Sequence, residues 1–138
     1  MRAYGQRSKM TRGKVYLVED DQSVRRALHR LIDAAGFDVQ SFSDAASYLT
    51  GPLPEAPACI VLDIRMPIMT GFELQSAISG TERSLPIVFI TGHGGEDIRA
   101  QAMESGAVDL LFKPVDESAL LAAIEKALRM VPAGRGGM

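Results

Sequence analysis

Cys59-Ile-Val-Leu-Asp63, with Ile64-Arg65-Met66-Pro67 directly after it, is the stretch on which the fold turns. Four apolar residues bounded by turn signals suit a short strand buried on both faces, as in a parallel sheet. The strand ends on a carboxylate. In an open α/β sheet that places Asp63 at the crevice beyond the strand ends, where ligands bind. Pro67 helps to break the strand, and Gly71 permits the turn before the next helix. Taken alone, Asp63 also reads as a turn-capping residue, because Asp is common in turns. The rest of the chain separates the two readings.

Four more apolar runs flank this one. Val15-Tyr-Leu-Val18 ends in Glu19-Asp20-Asp21, and Phe37 to Phe42 alternates apolar and polar residues like a half-exposed strand. Pro86 to Ile90 ends on Thr91, followed by Gly92-His93-Gly94-Gly95, and Val108 to Phe112 ends on Lys113-Pro114. Between them lie helical patterns. Val24, Ala27, Leu28, Leu31, Ile32 and Ala35 form one apolar stripe over 22–35, with Arg25, Arg26, His29 and Arg30 on the solvent side and Gly36 as the closing residue. Ser43 or Asp44 caps a short helix through Leu49. Three prolines between Pro52 and Pro57 exclude regular structure there. Helices are expected over 72–78 (with Phe72, Leu74, Ala77 and Ile78 packing inward), 96–105 and 116–130, the last with Leu120, Ile124, Ala127, Leu128 and Val131 buried. Strand and helix therefore alternate five times. The expected fold is a doubly wound five-stranded parallel sheet with helices on both faces, in the flavodoxin-like order 2-1-3-4-5.

The chain has 138 residues, 46% of them apolar and 23% charged, which fits one globular domain with a real core. Its single cysteine, Cys59, falls in a buried strand and reads as a core thiol. No apolar run approaches the length of a membrane span, and the N-terminus lacks the apolar stretch of a secretory signal, so a cytoplasmic location is expected with no membrane partner. Residues 1–14 carry five basic and no acidic side chains; with a net charge of −2, the remaining 124 residues sum to −7. An acidic body argues against direct nucleic-acid binding. The expected organisation is a basic flexible tail over 1–13, one domain over 14–131 and a short flexible tail over 132–138.

The strand ends then supply a constellation: Glu19 and Asp20 on the first, Asp63 on the third, Thr91 on the fourth and Lys113 on the fifth. Three converging carboxylates repel one another and call for a hard divalent cation such as Mg²⁺. A carboxylate can also act as a nucleophile toward phosphorus. The cation, the Thr91 hydroxyl and the Lys113 ammonium would then offset charge on a transferring phosphoryl group.

These residues resemble the receiver domain of two-component response regulators, whose fold is CheY-like. The match rests on Glu19-Asp20-Asp21, on Asp63 with Met66-Pro67 and Gly71, on Thr91-Gly92 and on Lys113-Pro114, and it spans about residues 14–130. Arg65-Met-Pro and Thr91-Gly-His-Gly look most like the FixJ-type subfamily. The resemblance implies that Asp63 is the phosphoacceptor, that Glu19, Asp20, Asp63 and the backbone carbonyl of Arg65 hold Mg²⁺, that Thr91 is a switch hydroxyl, and that Lys113 contacts the phosphoryl group. It also implies a cis Lys113–Pro114 bond. The family usually has an aromatic residue three positions before the lysine; here that position is Leu110. Phe112 is the nearest aromatic and is read as lying on the wrong side of the strand. Arg65 and His93, two residues past Asp63 and Thr91, would flank the water that attacks the phosphoryl group.

A sensor histidine kinase or phosphotransfer protein would be the donor, and a downstream protein target, unnamed by the sequence, the receiver of the signal. The expectation is a stand-alone phosphoacceptor rather than an enzyme, with a homodimer left open. The alternative within the class is the receiver fragment of a DNA-binding transcriptional regulator. From other classes, an aspartyl-nucleophile phosphatase lacks its general acid, since Arg65 stands two residues after Asp63. A flavodoxin-type electron carrier would need a phosphate loop where Glu19-Asp20-Asp21 stands.

Overall fold

The strand that carries Asp63 is buried at every residue from Ala58 to Asp63. It lies at the centre of a five-stranded parallel sheet in a computed structural model that describes residues 11–55 and 57–130. In chain order the elements are β1 (Lys14–Val18), α1 (Gln22–Ala34), β2 (Asp38–Phe42), α2 (Ala45–Thr50), β3 (Ala58–Asp63), α3 (Gly71–Ile78), β4 (Ile87–Thr91), α4 (Glu96–Glu104), β5 (Asp109–Phe112) and α5 (Glu117–Leu128). The sheet order is β2-β1-β3-β4-β5, the flavodoxin-like order expected from the alternation of strands and helices.

Strand periodicity sorts the core into two layers. Val15, Leu17, Cys59, Val61, Val88 and Ile90 point to the face covered by Leu28 and Ile32 of α1 and by Leu120 and Ile124 of α5. Tyr16, Val18, Ile60, Leu62 and Phe89 point to the other face, with Tyr48 of α2, Leu74 and Ile78 of α3, and Ala102 of α4. Each side chain of this size contributes roughly 1.5–3 kcal/mol when fully buried. The central strands are therefore apolar at consecutive positions. Cys59 is fully buried, and burial pushes its thiol up to about 12, which makes it inert core.

The helix signals read from sequence hold in detail. Asp44 and Asp116 accept N–H groups at the starts of α2 and α5. Gly36, at φ 100°, ends α1; its N–H donates to Asp33 O while Phe37 N–H reaches Ile32 O. The proline-rich loop is tied down by Arg83, whose guanidinium donates to Tyr48 O, Gly51 O and Pro52 O. The Lys113–Pro114 bond is cis. Among the described residues no helix is long and apolar enough to cross a membrane.

Several expectations are corrected. Ala27 and Ala77 are exposed, because the buried stripes of α1 and α3 are narrower than the apolar pattern. His29 is not a free surface side chain: it is half-buried, with Nδ1 2.6 Å from Ser41 Oγ of β2. Phe112 shares the face of Leu110, as period-two alternation demands, and packs against the same cluster. Leu110 itself is fully buried core. The expected tails and the Val131 contact fall outside the described residues, except that Arg12 is bound to the body. It donates to Ala35 O, pairs with Glu125 and stacks over the Phe37 ring.

One residue between β3 and α3 is strained. Ile68 has φ 72° and is fully exposed, and Met69 N–H donates to Pro67 O across it at 2.7 Å. A left-handed L residue costs about 1–2 kcal/mol, and this side chain returns no packing. Glycine would remove that cost and add back roughly 0.5–1 kcal/mol of chain entropy. Ile68→Gly is thus expected to raise the unfolding free energy, measured by urea titration, by up to about 1 kcal/mol; a clear loss of stability would contradict the strain.

Candidate functional site

At the C-terminal edge of the sheet the strands deliver their last side chains into one crevice. The β1–β3 ladder pairs Val18 with Leu62, so Glu19 follows on one strand as Asp63 follows on its neighbour. The β3–β4 ladder pairs Asp63 with Ile90, which puts Thr91 one step further out. Thr91 pairs with Phe112 on β5, and Lys113 follows. Parallel register thus brings Glu19, Asp63, Thr91 and Lys113, far apart in sequence, to neighbouring strand ends at one edge of the sheet.

Glu19 is fully buried, Asp63 nearly so, and Asp20 is exposed at the mouth. Oxygens of these three carboxylates all lie within 4.8 Å of one another. Lys113 Nζ stands 2.8 Å from Glu19 Oε1 and 3.5 Å from Asp63 Oδ2. The shorter contact is an ion pair, yet Glu19 Oε1 has no aligned hydrogen-bond donor. Glu19 Oε2 accepts Asp21 N–H at 3.0 Å, and Asp63 Oδ1 accepts Arg65 N–H at 3.3 Å.

Burial pushes the Asp63 carboxyl up to about 7, and the charge of Glu19 adds to the rise, while Lys113 acts against it. For Lys113, burial works against the charged form. The close Glu19 carboxylate and the Asp63 charge outweigh it, and the net direction is upward.

The turn after Asp63 is sterically exact about one residue. A Cβ on Gly71 would fall 2.6 Å from the Asp63 carbonyl oxygen, and Gly71 N–H donates to Ile64 O at 2.8 Å. Only glycine lets α3 press this closely on the end of β3. Thr70 then opens α3 through a capping box with Glu73.

Of the expected residues, the structure brings together Glu19, Asp20, Asp63 and Lys113. Thr91 is at the neighbouring strand end, but its hydroxyl is engaged locally: it donates to His93 O at 3.0 Å and accepts His93 N–H at 3.3 Å. The side chains of Arg65 and His93 are exposed at the rim. Arg25 was missed. Placed on the solvent side by its helical position, it is half-buried, and its guanidinium donates to Glu19 O at 2.9 Å and Asp20 O at 3.4 Å. A long side chain can fold back along its helix, and no periodicity signals it.

The donor set fits a magnesium ion. Three hard carboxylates converge, and Glu19 carries a buried oxygen, Oε1, with no aligned hydrogen-bond donor. Two ligands at ~2.1 Å from one ion stand at most about 4.2 Å apart, so a small contraction closes the cluster.

Comparison with known proteins follows from this geometry. The family described as the response regulator receiver domain matches residues 15–125. The transcriptional regulatory protein FixJ of Bradyrhizobium diazoefficiens is 40% identical over 119 residues, 86% of this chain and 58% of that protein. The response regulator protein TodT of Pseudomonas putida is 38% identical over 121 residues, 88% of this chain and 53% of its own length. The chain thus spans little more than half the length of these relatives. Among solved structures, the response regulator StyR superposes with TM-score 0.76 at 46% identity, covering 84% of this chain and 59% of that one. The isolated FixJ-N structure gives TM-score 0.77 at 32% identity, covering 87% and 96%.

The raised Asp63 carboxyl has a thermodynamic signature. Folded Asp63 keeps its proton up to about pH 7, whereas its ordinary value is 3.8. The stability this lends is complete below 3.8 and is lost as pH rises through 7. Asp63→Asn lacks that loss. With chelator present, the stability of the variant relative to the parent is expected to grow by roughly 2 kcal/mol between pH 5 and pH 8. Denaturant titration at the two pH values measures it, and a flat difference would refute the buried-carboxylate account.

Proposed function

Because this chain belongs to the response regulator receiver domain family of two-component systems, we propose that it accepts a phosphoryl group on Asp63 from a sensor histidine kinase or phosphotransfer protein. The observation that carries this reading is the Asp63 carboxylate, nearly buried, with the Lys113 ammonium 3.5 Å from Oδ2 and two further acids beside it.

In the proposed reaction an Asp63 carboxylate oxygen attacks phosphorus in line with the donor nitrogen. The O–P bond forms as the N–P bond breaks, and the leaving nitrogen takes up a proton. Glu19, Asp20, Asp63 and the Arg65 carbonyl would hold Mg²⁺, which when bound offsets charge on the phosphoryl oxygens. Lys113 orients and neutralises one oxygen. The Thr91 hydroxyl exchanges its His93 partners for a phosphoryl oxygen, and that exchange carries the signal out of the crevice. Arg25 holds the backbone of the two acids.

The site does not favour an aspartyl phosphatase, since Arg65 supplies no carboxyl two residues after Asp63. On this reading the chain is a phosphoacceptor signalling to a downstream protein in the cytoplasm, and the net negative charge of its body argues against direct nucleic-acid binding. A second reading, in which this receiver works as part of a longer transcriptional regulator, draws support from the greater length of the relatives. Which of the two holds is decided by the mass of the protein in its native cells.

Acetyl phosphate with Mg²⁺ is expected to add one phosphoryl group to the wild type and none to Asp63→Asn, read by intact mass. An adduct on the variant would remove Asp63 from its role. Arg65 and His93 are exposed on either side of the expected path of water. Replacing both with alanine is expected to shorten the half-life of the adduct severalfold, and an unchanged half-life would rule that shielding out.

A further inference from the structure

We propose that Arg25 is a positioning residue for the acidic pair, setting the affinity for the divalent cation through the backbone of Glu19 and Asp20. The inference rests on the receiver reading and adds a residue to it.

Beyond Val18 the first strand has no further ladder partner, apart from Glu19 N–H donating to Phe42 O at 3.1 Å. The carbonyls of Glu19 and Asp20 therefore lie past the sheet, where nothing in the strand pairing fixes them. Buried or half-buried backbone oxygens need a donor. Arg25 supplies it from the first turns of α1: one guanidinium nitrogen donates to Glu19 O at 2.9 Å and reaches Asp20 O at 3.4 Å. The Arg25 backbone is locked in turn, its N–H donating to Asp21 O at 2.8 Å, while the Asp21 carboxylate caps α1 through Val24 N–H. Glu19 Oε2 closes the segment from the other side by accepting Asp21 N–H.

Two effects follow. The first is geometric. Asp20 is exposed, so no packing fixes its carboxylate; its direction is set by the backbone that Arg25 holds. The second is electrostatic. A guanidinium stays charged at any working pH, and here it is half-buried behind carboxylates that repel one another. Lys113 compensates these acids from inside the crevice and would be drawn toward a bound phosphoryl group. Arg25 compensates from the backbone side and itself occupies no carboxylate oxygen.

Calorimetric titration of Mg²⁺ into wild type, Arg25→Ala and Arg25→Lys tests this, with thermal unfolding in chelator as a check on folding. Residues that orient metal ligands typically change affinity by about 10-fold or more, and Arg25→Ala is expected to weaken Mg²⁺ binding by about that factor. Arg25→Lys restores the charge but not the planar guanidinium or the position of the nitrogen between the two carbonyls, so it is expected to lie between the two. In phosphorylation by phosphoramidate, followed by intact mass, the deficit should appear in the Mg²⁺ concentration for half-maximal rate and shrink at saturation. Binding within twofold of wild type in Arg25→Ala overturns the proposal. If that variant does not fold, Arg25→Lys carries the test, and wild-type affinity there overturns it equally. A wild type that binds Mg²⁺ yet gains no phosphoryl group would defeat the receiver reading, while the calorimetric comparison still judges Arg25.

Discussion

Three carboxylates forced together at one edge of a sheet are the constraint to which the rest of the structure answers. Two unit charges ~5 Å apart at an effective dielectric of ~20 repel by roughly 3 kcal/mol. Glu19, Asp20 and Asp63 would separate if the backbone allowed it. It does not, because Glu19 and Asp63 stand directly beyond paired positions on adjacent strands. Among the described residues Lys113 is the one side-chain cation paired with the carboxylates of Glu19 and Asp63. Burial first, and then the Glu19 charge that the lysine only partly offsets, push the Asp63 carboxyl up to about 7. The crevice is built short of positive charge, and that shortage would favour a bound cation.

Rigidity around the crevice comes from the two apolar layers, and adaptability from the loops beyond the strands. Glu19, Asp63 and Thr91 each follow fully buried strand residues and inherit fixed positions. The loops carry the irregular features, strained Ile68 and glycine-rich 92–95, and Gly71 lets α3 start close against the end of β3. The Thr91 hydroxyl joins the two regimes. It sits on a buried strand end, yet both its hydrogen bonds go to His93 in an exposed loop. A phosphoryl oxygen competing for that hydroxyl would act on the loop at the start of α4. Phe112, paired with Thr91 in the ladder, lies under the Arg99 guanidinium of the same helix.

The sheet was legible because its strands are short apolar runs bounded by glycine, proline and acids, and because parallel connections leave few topologies. The acidic site was legible for the same reason: once the strand ends are known, the residues after them are known. What escaped was whatever depends on side-chain reach rather than on periodicity. Arg25 and His29 sit on the polar side of α1 by helical angle, and both turn back to polar groups at strand ends or edges. Ala27 and Ala77 fit the apolar stripe but are too small to reach the core from its margin. Phe112 was misplaced by attention to its neighbour Lys113, although the two-residue period already put it with Leu110. Ile68 gives no signal at all, since strain is invisible in composition.

Charge counting supports the proposal that a cation and a phosphoryl group would share the same crevice. With all three acids ionised, Lys113 leaves a net charge of about −2 there, and phosphorylation of a carboxylate replaces one negative charge by about −1.5 to −2. A single ammonium cannot hold that much charge beside the fully buried Glu19. A divalent ion brings the site back near neutrality both before and after transfer, so the same donor set can serve the empty and the loaded acceptor. Ligands that keep their positions without the ion lower the ordering cost of binding it. Glu19 keeps its position through Asp21 N–H, Asp63 through Arg65 N–H, and the backbone that bears Asp20 through Arg25. Each acid is thus held by a backbone contact that asks nothing of the metal, and the cost of organising the site falls on folding rather than on binding.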